Sequence, residues 1–130
     1  MTDARTVAVL AFDGAQMLDV VGPAEVFAAA GSMVAATGAP NPYDIRIVSP
    51  DGADVHTFSG QRIGVGGSVA DLTGPIDTLL VPGTPNWQAV RDDEVVLAAV
   101  HHLSGRCRRV ASVCVGAFVL GAVGLLDGRR

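Results

Sequence analysis

Short apolar runs typical of strands alternate with helical segments along this chain of 130 residues. The first run, residues 6–12, is continuous, which indicates a strand covered on both faces. Further strands are predicted over 44–49, 78–81 and 110–114, and helices over 19–30, 92–104 and 115–123. This alternation predicts an α/β three-layer sandwich, with a mostly parallel sheet between two layers of helices.

Smaller signals divide the rest of the chain. Gly22-Pro23 is expected to open the first helix and Gly31 to close it, while Gly105 is expected to stop the helix over 92–104. The glycine-rich stretch between these helices predicts an extended hairpin, with strands over 55–58 and 62–65, followed by a short helix or turn over 68–72.

Composition is that of one compact domain over residues 1–130, with 49% hydrophobic and 17% charged residues. No apolar run approaches the length that a bilayer requires, and no signal-peptide pattern is present, so a cytoplasmic protein without membrane contact is expected. The net charge is −4. The cluster of Arg106, Arg108 and Arg109 is expected to contact a helix C-terminus, and nothing predicts a nucleic-acid contact by these residues.

Cys114 lies where a predicted buried strand turns abruptly into a helix. Ser112 and Gly116, two positions to either side, are small, which is the pattern of a nucleophile elbow. Such a turn places the side chain at the mouth of the sheet and at the positive end of the following helix, where a thiolate is favoured. The alternative is a structural cysteine with a chance glycine nearby.

Two cysteines are present, and the strand predicted between Cys107 and Cys114 places them too far apart for a disulfide. Free thiols are typical of a reducing compartment. No grouping of cysteine and histidine has metal-ligand spacing, so neither a metal nor a cofactor is predicted.

Three loops should converge at the carboxyl edge of the sheet, where α/β proteins bind ligands. They are residues 13–19, residues 82–87 and the turn at Cys114. The three histidines, His56, His101 and His102, are not placed to form a pair with the thiol. Asp19, in an apolar setting, could serve instead as an acid partner, or it could be a helix N-cap.

Backbone N–H groups near the thiol could hold a developing negative charge. The candidates are Gly83 and Thr84, after the third central strand, and Val115, at the start of the last helix. A simple turn at the end of the strand is the alternative for Gly83 and Thr84. Trp87 could wall the pocket or could pack against the next helix.

Four stretches together resemble the ThiJ/PfpI superfamily, which has the class I glutamine amidotransferase-like, flavodoxin-like α/β fold. They are VLAFD over 9–13, LDVVGPAEVF over 18–27, LLVPGT over 79–84 and ASVCVGAFVLGAVGLLDGR over 111–129. The second and fourth stretches most resemble two groups within the superfamily: the N-terminal amidase-like domain of AraC-family transcriptional regulators, and isonitrile hydratase, a cysteine enzyme.

The resemblance implies that Cys114 is the nucleophile, that Asp19 is the acid facing it, and that Gly83 and Val115 supply backbone donors. Two positions depart from the superfamily pattern. Val115 replaces the threonine or histidine that follows the cysteine in the enzymes, and Thr84 replaces the second glycine of Pro-Gly-Gly. These departures favour a non-catalytic ligand- or redox-sensing domain, with a hydratase-like or lyase-like enzyme as the alternative.

Members of the superfamily continue beyond the Gly-Arg pair that corresponds to Gly128-Arg129. The sequence therefore predicts that this domain is truncated at its C-terminal side, where a further strand and helices would follow. For a regulator, a helix-turn-helix domain would follow as well, and DNA would be contacted only through it. The expected partners of this chain are a small-molecule ligand and a second copy in a homodimer.

Overall fold

A computed structural model describes residues 4–130, and its centre is a parallel four-stranded sheet. The elements in chain order are β1 (Arg5–Leu10), α1 (Met17–Ala35), β2 (Tyr43–Val48), β3 (Val55–His56), β4 (Arg62–Ile63), β5 (Ile76–Val81), α2 (Trp87–Arg91), α3 (Glu94–Ser104), β6 (Cys107–Ser112) and α4 (Gly116–Ala122). The sheet order is β2-β1-β5-β6, and β3 pairs with β4 in a separate antiparallel hairpin. The predicted α/β architecture is confirmed.

The order of the strands determines where a ligand site is expected. From the centre of the sheet, β1 connects outward to β2 on one side, and β5 connects outward to β6 on the other. Right-handed crossovers in opposite directions place α1 and α3 on opposite faces. The connectivity therefore reverses between β1 and β5, and the crevice at their carboxyl ends is the usual binding position in such sheets.

The first helix is longer than its local signals suggested. Helix α1 starts at Met17, before Gly22-Pro23, and continues past Gly31 to Ala35, so both predicted ends are wrong. Pro23 lies inside the helix, which loses one backbone hydrogen bond there but is held by packing on the sheet. Gly31 is buried, and its missing side chain leaves room for the Asn41 amide, whose nitrogen would be only 3.0 Å from an added Cβ.

Helix α1 is also the one helix among residues 4–130 that is long and apolar enough to cross a membrane, with mean hydropathy 1.3. This differs from the expectation that no segment has that length. Core helices of soluble proteins and N-terminal signal sequences share this length and composition. In this fold α1 buries Val20 and Ala24 but leaves Leu18, Val26 and Met33 largely exposed.

The hairpin is shorter than predicted, with two residues in each strand. Its backbone is bonded to the loop that follows β1. The His56 N–H donates to Asp13 Oδ1 at 3.0 Å, the Gly14 N–H donates to the His56 carbonyl, and the Phe58 N–H donates to the Ala15 carbonyl. The hairpin thus holds in place the loop that leads into α1.

The segment between β5 and β6 contains one predicted helix and one that was not predicted. For α3, the Asp93 side chain caps the first turn by accepting from the Val95 and Val96 N–H groups, and Gly105 ends the helix as expected. Helix α2 was missed because five residues are too few to show a periodic pattern.

Within residues 4–130, β6 pairs only with β5 and its residues are half-buried or exposed, so the expectation of a buried strand over 110–114 is wrong for this structure. It starts at Cys107 and ends at Ser112, and Arg108 and Arg109 are exposed. The arginine cluster does not serve a helix C-terminus through its side chains either. Arg108 pairs with Asp77 on the neighbouring strand at 2.7 Å, and Arg106 donates to the Gly74 carbonyl.

The Asp77–Arg108 pair should make stability depend on pH at strongly acidic values. The hydrogen bond from Arg108 lowers the pKa of Asp77 to about 2, with help from a hydrogen bond from Thr78 and the charge of Arg5. Desolvation of the carboxyl group opposes this shift. Because the folded-state pKa lies below the unfolded one, this stabilisation is present above about pH 4 and is lost towards pH 2.

We therefore expect Asp77→Asn to lower the free energy of unfolding at neutral pH by at most about 1 kcal/mol. The difference from the wild type should vanish near pH 2. Urea unfolding at both pH values measures this, with Asp44→Asn, which removes an exposed pair with Arg46, as the control. An equal deficit at both pH values would contradict the assigned role of the charge.

Candidate functional site

Cys114 occupies a strained turn at the carboxyl edge of the sheet. Its φ is 54°, and within residues 4–130 it is the one non-glycine residue with a positive φ. Strain of this kind persists only where the surrounding structure imposes it, and it is a feature of nucleophile elbows. The residue is exposed, between the end of β6 and the start of α4. The predicted elbow is therefore present, and its thiol is accessible.

Gly116 explains why this turn can be so tight. A Cβ at this position would lie 2.9 Å from the Pro82 carbonyl oxygen and closer still to that of Val81. Real Cβ atoms do not approach backbone oxygens so closely, so only glycine allows the start of α4 to lie against the end of β5. The Gly116 N–H donates to the Val113 carbonyl at 2.9 Å, which closes the turn around Cys114.

Asp19 is a buried carboxylate in the first turn of α1, with 8% of its surface exposed. Its Oδ2 accepts from the Gly83 N–H at 3.1 Å, across to the loop after β5. The helix N-cap is Gln16, which makes no side-chain cap, so the interpretation of Asp19 as a cap is wrong. The acid instead joins two of the three loops that were expected to converge.

The third loop meets the other two above Gly83. A Cβ built on Gly83 would lie 3.0 Å from Asp19 Oδ2 and 3.0 Å from the Val115 backbone nitrogen. The carboxylate and the residue that directly follows Cys114 therefore face the same small space. Glycine is required at this position because any side chain would separate the acid from the elbow.

The predicted backbone N–H donors differ in whether they are already hydrogen-bonded. The Gly83 N–H is already bonded to Asp19, so its sequence-predicted role as an oxyanion donor is not available in this arrangement. No acceptor for the Val115 N–H is recorded within residues 4–130. Thr84, 2% exposed, donates its hydroxyl to the Gly14 carbonyl at 2.8 Å and accepts from the Asn86 N–H, so its side chain links two loops.

No histidine is paired with the thiol in the described part of the chain. His56, His101 and His102 are all exposed, and no hydrogen bond to the Cys114 thiol is recorded there. Residues 4–130 also contain no group of three or more His, Cys, Asp or Glu side chains that could hold a metal ion.

Cys107 provides an internal contrast to Cys114. It is half-buried at the start of β6, and its thiol donates to the Leu103 carbonyl at 2.9 Å. Burial raises the pKa of Cys107 to about 11, with Asp77 adding to the shift and Arg106 opposing it. Since the thiolate is the reactive form, Cys107 is expected to be inert near neutral pH.

An aromatic pair joins α2 and α4, the helices that follow two loops of the site, and only one of its members was predicted from the sequence. The Trp87 ring contacts the Phe118 ring with centroids 4.8 Å apart and planes tilted by 59°. Trp87 therefore packs across to α4 through Phe118. Phe118 was missed because it stands in an apolar run over 115–123 that predicted a buried helix, whereas its side chain is 50% exposed.

Comparison with known proteins agrees with this geometry. Residues 5–130 match the DJ-1/PfpI family. The chain belongs to the DJ-1/PfpI family. It is 44% identical over 124 residues to an uncharacterized protein in the cpoL 5' region of Streptomyces lividans, covering 95% of this chain and 83% of that one. The DJ-1/PfpI resemblance drawn from the four sequence stretches is thus confirmed.

Two similar proteins carry functional names. Isonitrile hydratase of Pseudomonas putida is 30% identical over 121 residues, covering 93% of this chain and 48% of the enzyme. An HTH-type transcriptional regulator of Mycobacterium tuberculosis is 40% identical over 52 residues, 40% of this chain and 20% of the regulator.

A crystal structure of a ThiJ/PfpI family protein from Pseudomonas syringae superposes with TM-score 0.76 at 26% identity, covering 98% of this chain and 49% of that one. The chain therefore spans about half the length of this structure and of the hydratase.

Proposed function

We propose that this domain senses a small electrophilic or oxidising molecule through Cys114, as the sensing part of an AraC-type transcriptional regulator. The observation that carries the proposal is a strained, exposed thiol at Cys114 whose neighbour in the chain, Val115, faces the buried carboxylate of Asp19 across Gly83. The partial likeness to a helix-turn-helix regulator supports the regulatory setting.

The polar groups at the site favour sensing over turnover. A catalytic thiol usually needs a general base, and the histidines are exposed and unbonded to it. The Gly83 N–H is engaged by Asp19, which leaves the N–H groups of Val115 and Thr84, neither of which has an acceptor within residues 4–130, as the donors for a developing anion. A site of this kind suits one covalent event better than repeated catalytic cycles.

Two covalent events are compatible with the site. The thiolate can displace a leaving group from an electrophilic carbon, forming a sulfur–carbon bond. It can also attack a peroxide, forming a sulfenic acid and releasing water or an alcohol with the other oxygen atom. Either product changes the side chain of Cys114, which directly precedes the N-cap residue of α4.

Native-state labelling tests the proposal. With iodoacetamide near neutral pH we expect modification of Cys114 at least about tenfold faster than of Cys107, because only Cys114 is exposed and free of burial. Peptide mass spectrometry locates the label, and Cys114→Ser should remove the fast phase. Equal slow labelling of both thiols would contradict a reactive site.

Isonitrile hydration is the second candidate, favoured by the 30% identity to isonitrile hydratase over 93% of the chain. Cys114 would attack the terminal isonitrile carbon while Asp19 delivers a proton, giving a thioimidate. Water would then displace the thiol and leave an N-substituted formamide. Saturable turnover that is abolished in Cys114→Ser would select this function over sensing.

Homodimerisation and a cytoplasmic location stay predictions.

A further inference from the structure

We infer that Trp87 and Phe118 form a specificity wall that selects aromatic or similarly planar apolar substituents on the molecule that reacts at Cys114. The inference rests on the proposed reactivity of Cys114 and adds to it the chemical class of the ligand. It is carried by the position, exposure and mutual contact of the two rings.

Topology places both rings at the edge of the sheet that holds the thiol. Trp87 is the first residue of α2, directly after the loop of residues 82–86 that contains Gly83. Phe118 is in the first turn of α4, and its N–H donates to the carbonyl of Val115, the residue after Cys114. One ring therefore follows each of the two loops that build the site.

The rings are in contact with each other but are not buried. Phe118 is 50% exposed and Trp87 is partly exposed, although their centroids are only 4.8 Å apart. Neighbouring apolar residues of α4, such as Val119 and Leu120, are almost fully buried and supply the packing of the helix. The exposed ring surface is thus not part of the core that residues 4–130 form, and the proposal assigns it to contact with a ligand.

Arg91 restricts the orientation of the wall. Its guanidinium lies 5.6 Å from the centroid of the Trp87 ring, one turn along α2, and it is fixed by Asp92 at 3.1 Å. The rotation of the Trp87 ring is limited by two contacts: the Arg91 guanidinium lies over the ring, and the Phe118 ring packs against it. A preorganised aromatic surface loses little entropy when a planar group stacks on it.

The chemistry that fits this surface is an electrophile with an aromatic substituent. Stacking or edge contacts with an aromatic pair contribute beyond simple burial, which an alkyl or hydrogen substituent cannot match. The wall would act on binding and orientation, while the sulfur of Cys114 performs the bond-forming step. Trp87 and Phe118 are therefore specificity residues and not catalytic ones.

Paired alkylating reagents test this inference. Iodoacetamide and N-benzyl iodoacetamide both react by displacement of iodide by the thiolate, and they differ only in the benzyl group. The rate ratio of the two reagents at Cys114, divided by the same ratio for free glutathione, isolates the effect of the protein. We expect a wild-type value of about five in favour of the benzyl reagent, the size of a single aromatic contact.

The variants separate the wall from the thiol. Trp87→Ala and Phe118→Ala should bring the corrected ratio to about one while the iodoacetamide rate changes little. Phe118→Leu preserves apolar bulk, so its corrected ratio should lie between the wild-type value and one, and it replaces the alanine variants as the test if either of them unfolds. Val95→Ala, which truncates an apolar residue on α3 that is more exposed than Phe118, should behave as the wild type.

Fluorescence gives an independent readout, because Trp87 is the only tryptophan in the chain. Benzyl labelling of Cys114 should change its emission, and carbamidomethyl labelling should not. A reactive Cys114 with a corrected ratio of one would overturn the specificity wall and leave the proposed function standing. A Cys114 that reacts with neither reagent would overturn both.

Discussion

Gly116→Ala should be the most destabilising single change at the site, lowering the free energy of unfolding by about 3 kcal/mol. The added Cβ would meet the carbonyl oxygens of Val81 and Pro82, which are backbone atoms of β5 and its loop and cannot rotate away. The start of α4 would have to move off the sheet. Since the turn closes through the Gly116 N–H, the positive φ of Cys114 would relax with it.

Gly121→Ala is the matched control, because it introduces the same methyl group into the same helix. Its Cβ would meet only the end of the Leu126 side chain, at 3.8 Å. Helix propensity alone should then stabilise the protein by up to about 1 kcal/mol. Chemical unfolding and Cys114 labelling measure both variants. If Gly116→Ala proved as stable and as reactive as Gly121→Ala, close packing of α4 on β5 would not be what holds the elbow.

Asp19 variants should separate the structural part of the site from its chemistry. Asp19→Ala leaves the buried Gly83 N–H without an acceptor, which should cost about 1–3 kcal/mol. Asp19→Asn keeps an oxygen that can accept from Gly83 but removes the negative charge. We expect Asp19→Asn to retain most of the stability. The alkylation rate of Cys114 at a fixed pH should rise about tenfold, because a negative charge near the elbow disfavours the thiolate and is lost in this variant.

Glu25→Gln tests whether the effect belongs to the site or to charge in general. Glu25 is an exposed acid on the same helix, and Glu25→Gln removes one negative charge, as Asp19→Asn does. Its labelling rate as a function of pH should follow the wild type. A pH profile shared by Asp19→Asn, Glu25→Gln and the wild type would show that Asp19 serves only to hold the loops together.

Local patterns predicted the elements that carry their own signals. The apolar run over 6–12 became β1 and its buried extension, because a strand covered on both faces needs continuous apolar side chains. Asp93 and Gly105 delimited α3 because capping depends on neighbouring residues alone. Gly22-Pro23 failed as a helix start, since packing on the sheet outweighed the local cost of an internal proline.

The sequence by itself determined the alternating α/β order, the elbow at Cys114 and the small residues that make the turn possible, because each is set by a few adjacent residues. Tertiary structure alone decided the rest. It bonded Asp19 to the Gly83 N–H over 64 positions, paired β5 with β6 through Asp77 and Arg108, and brought Trp87 to Phe118. These contacts join residues far apart in the chain, so they depend on the order of strands in the sheet, which no local pattern encodes.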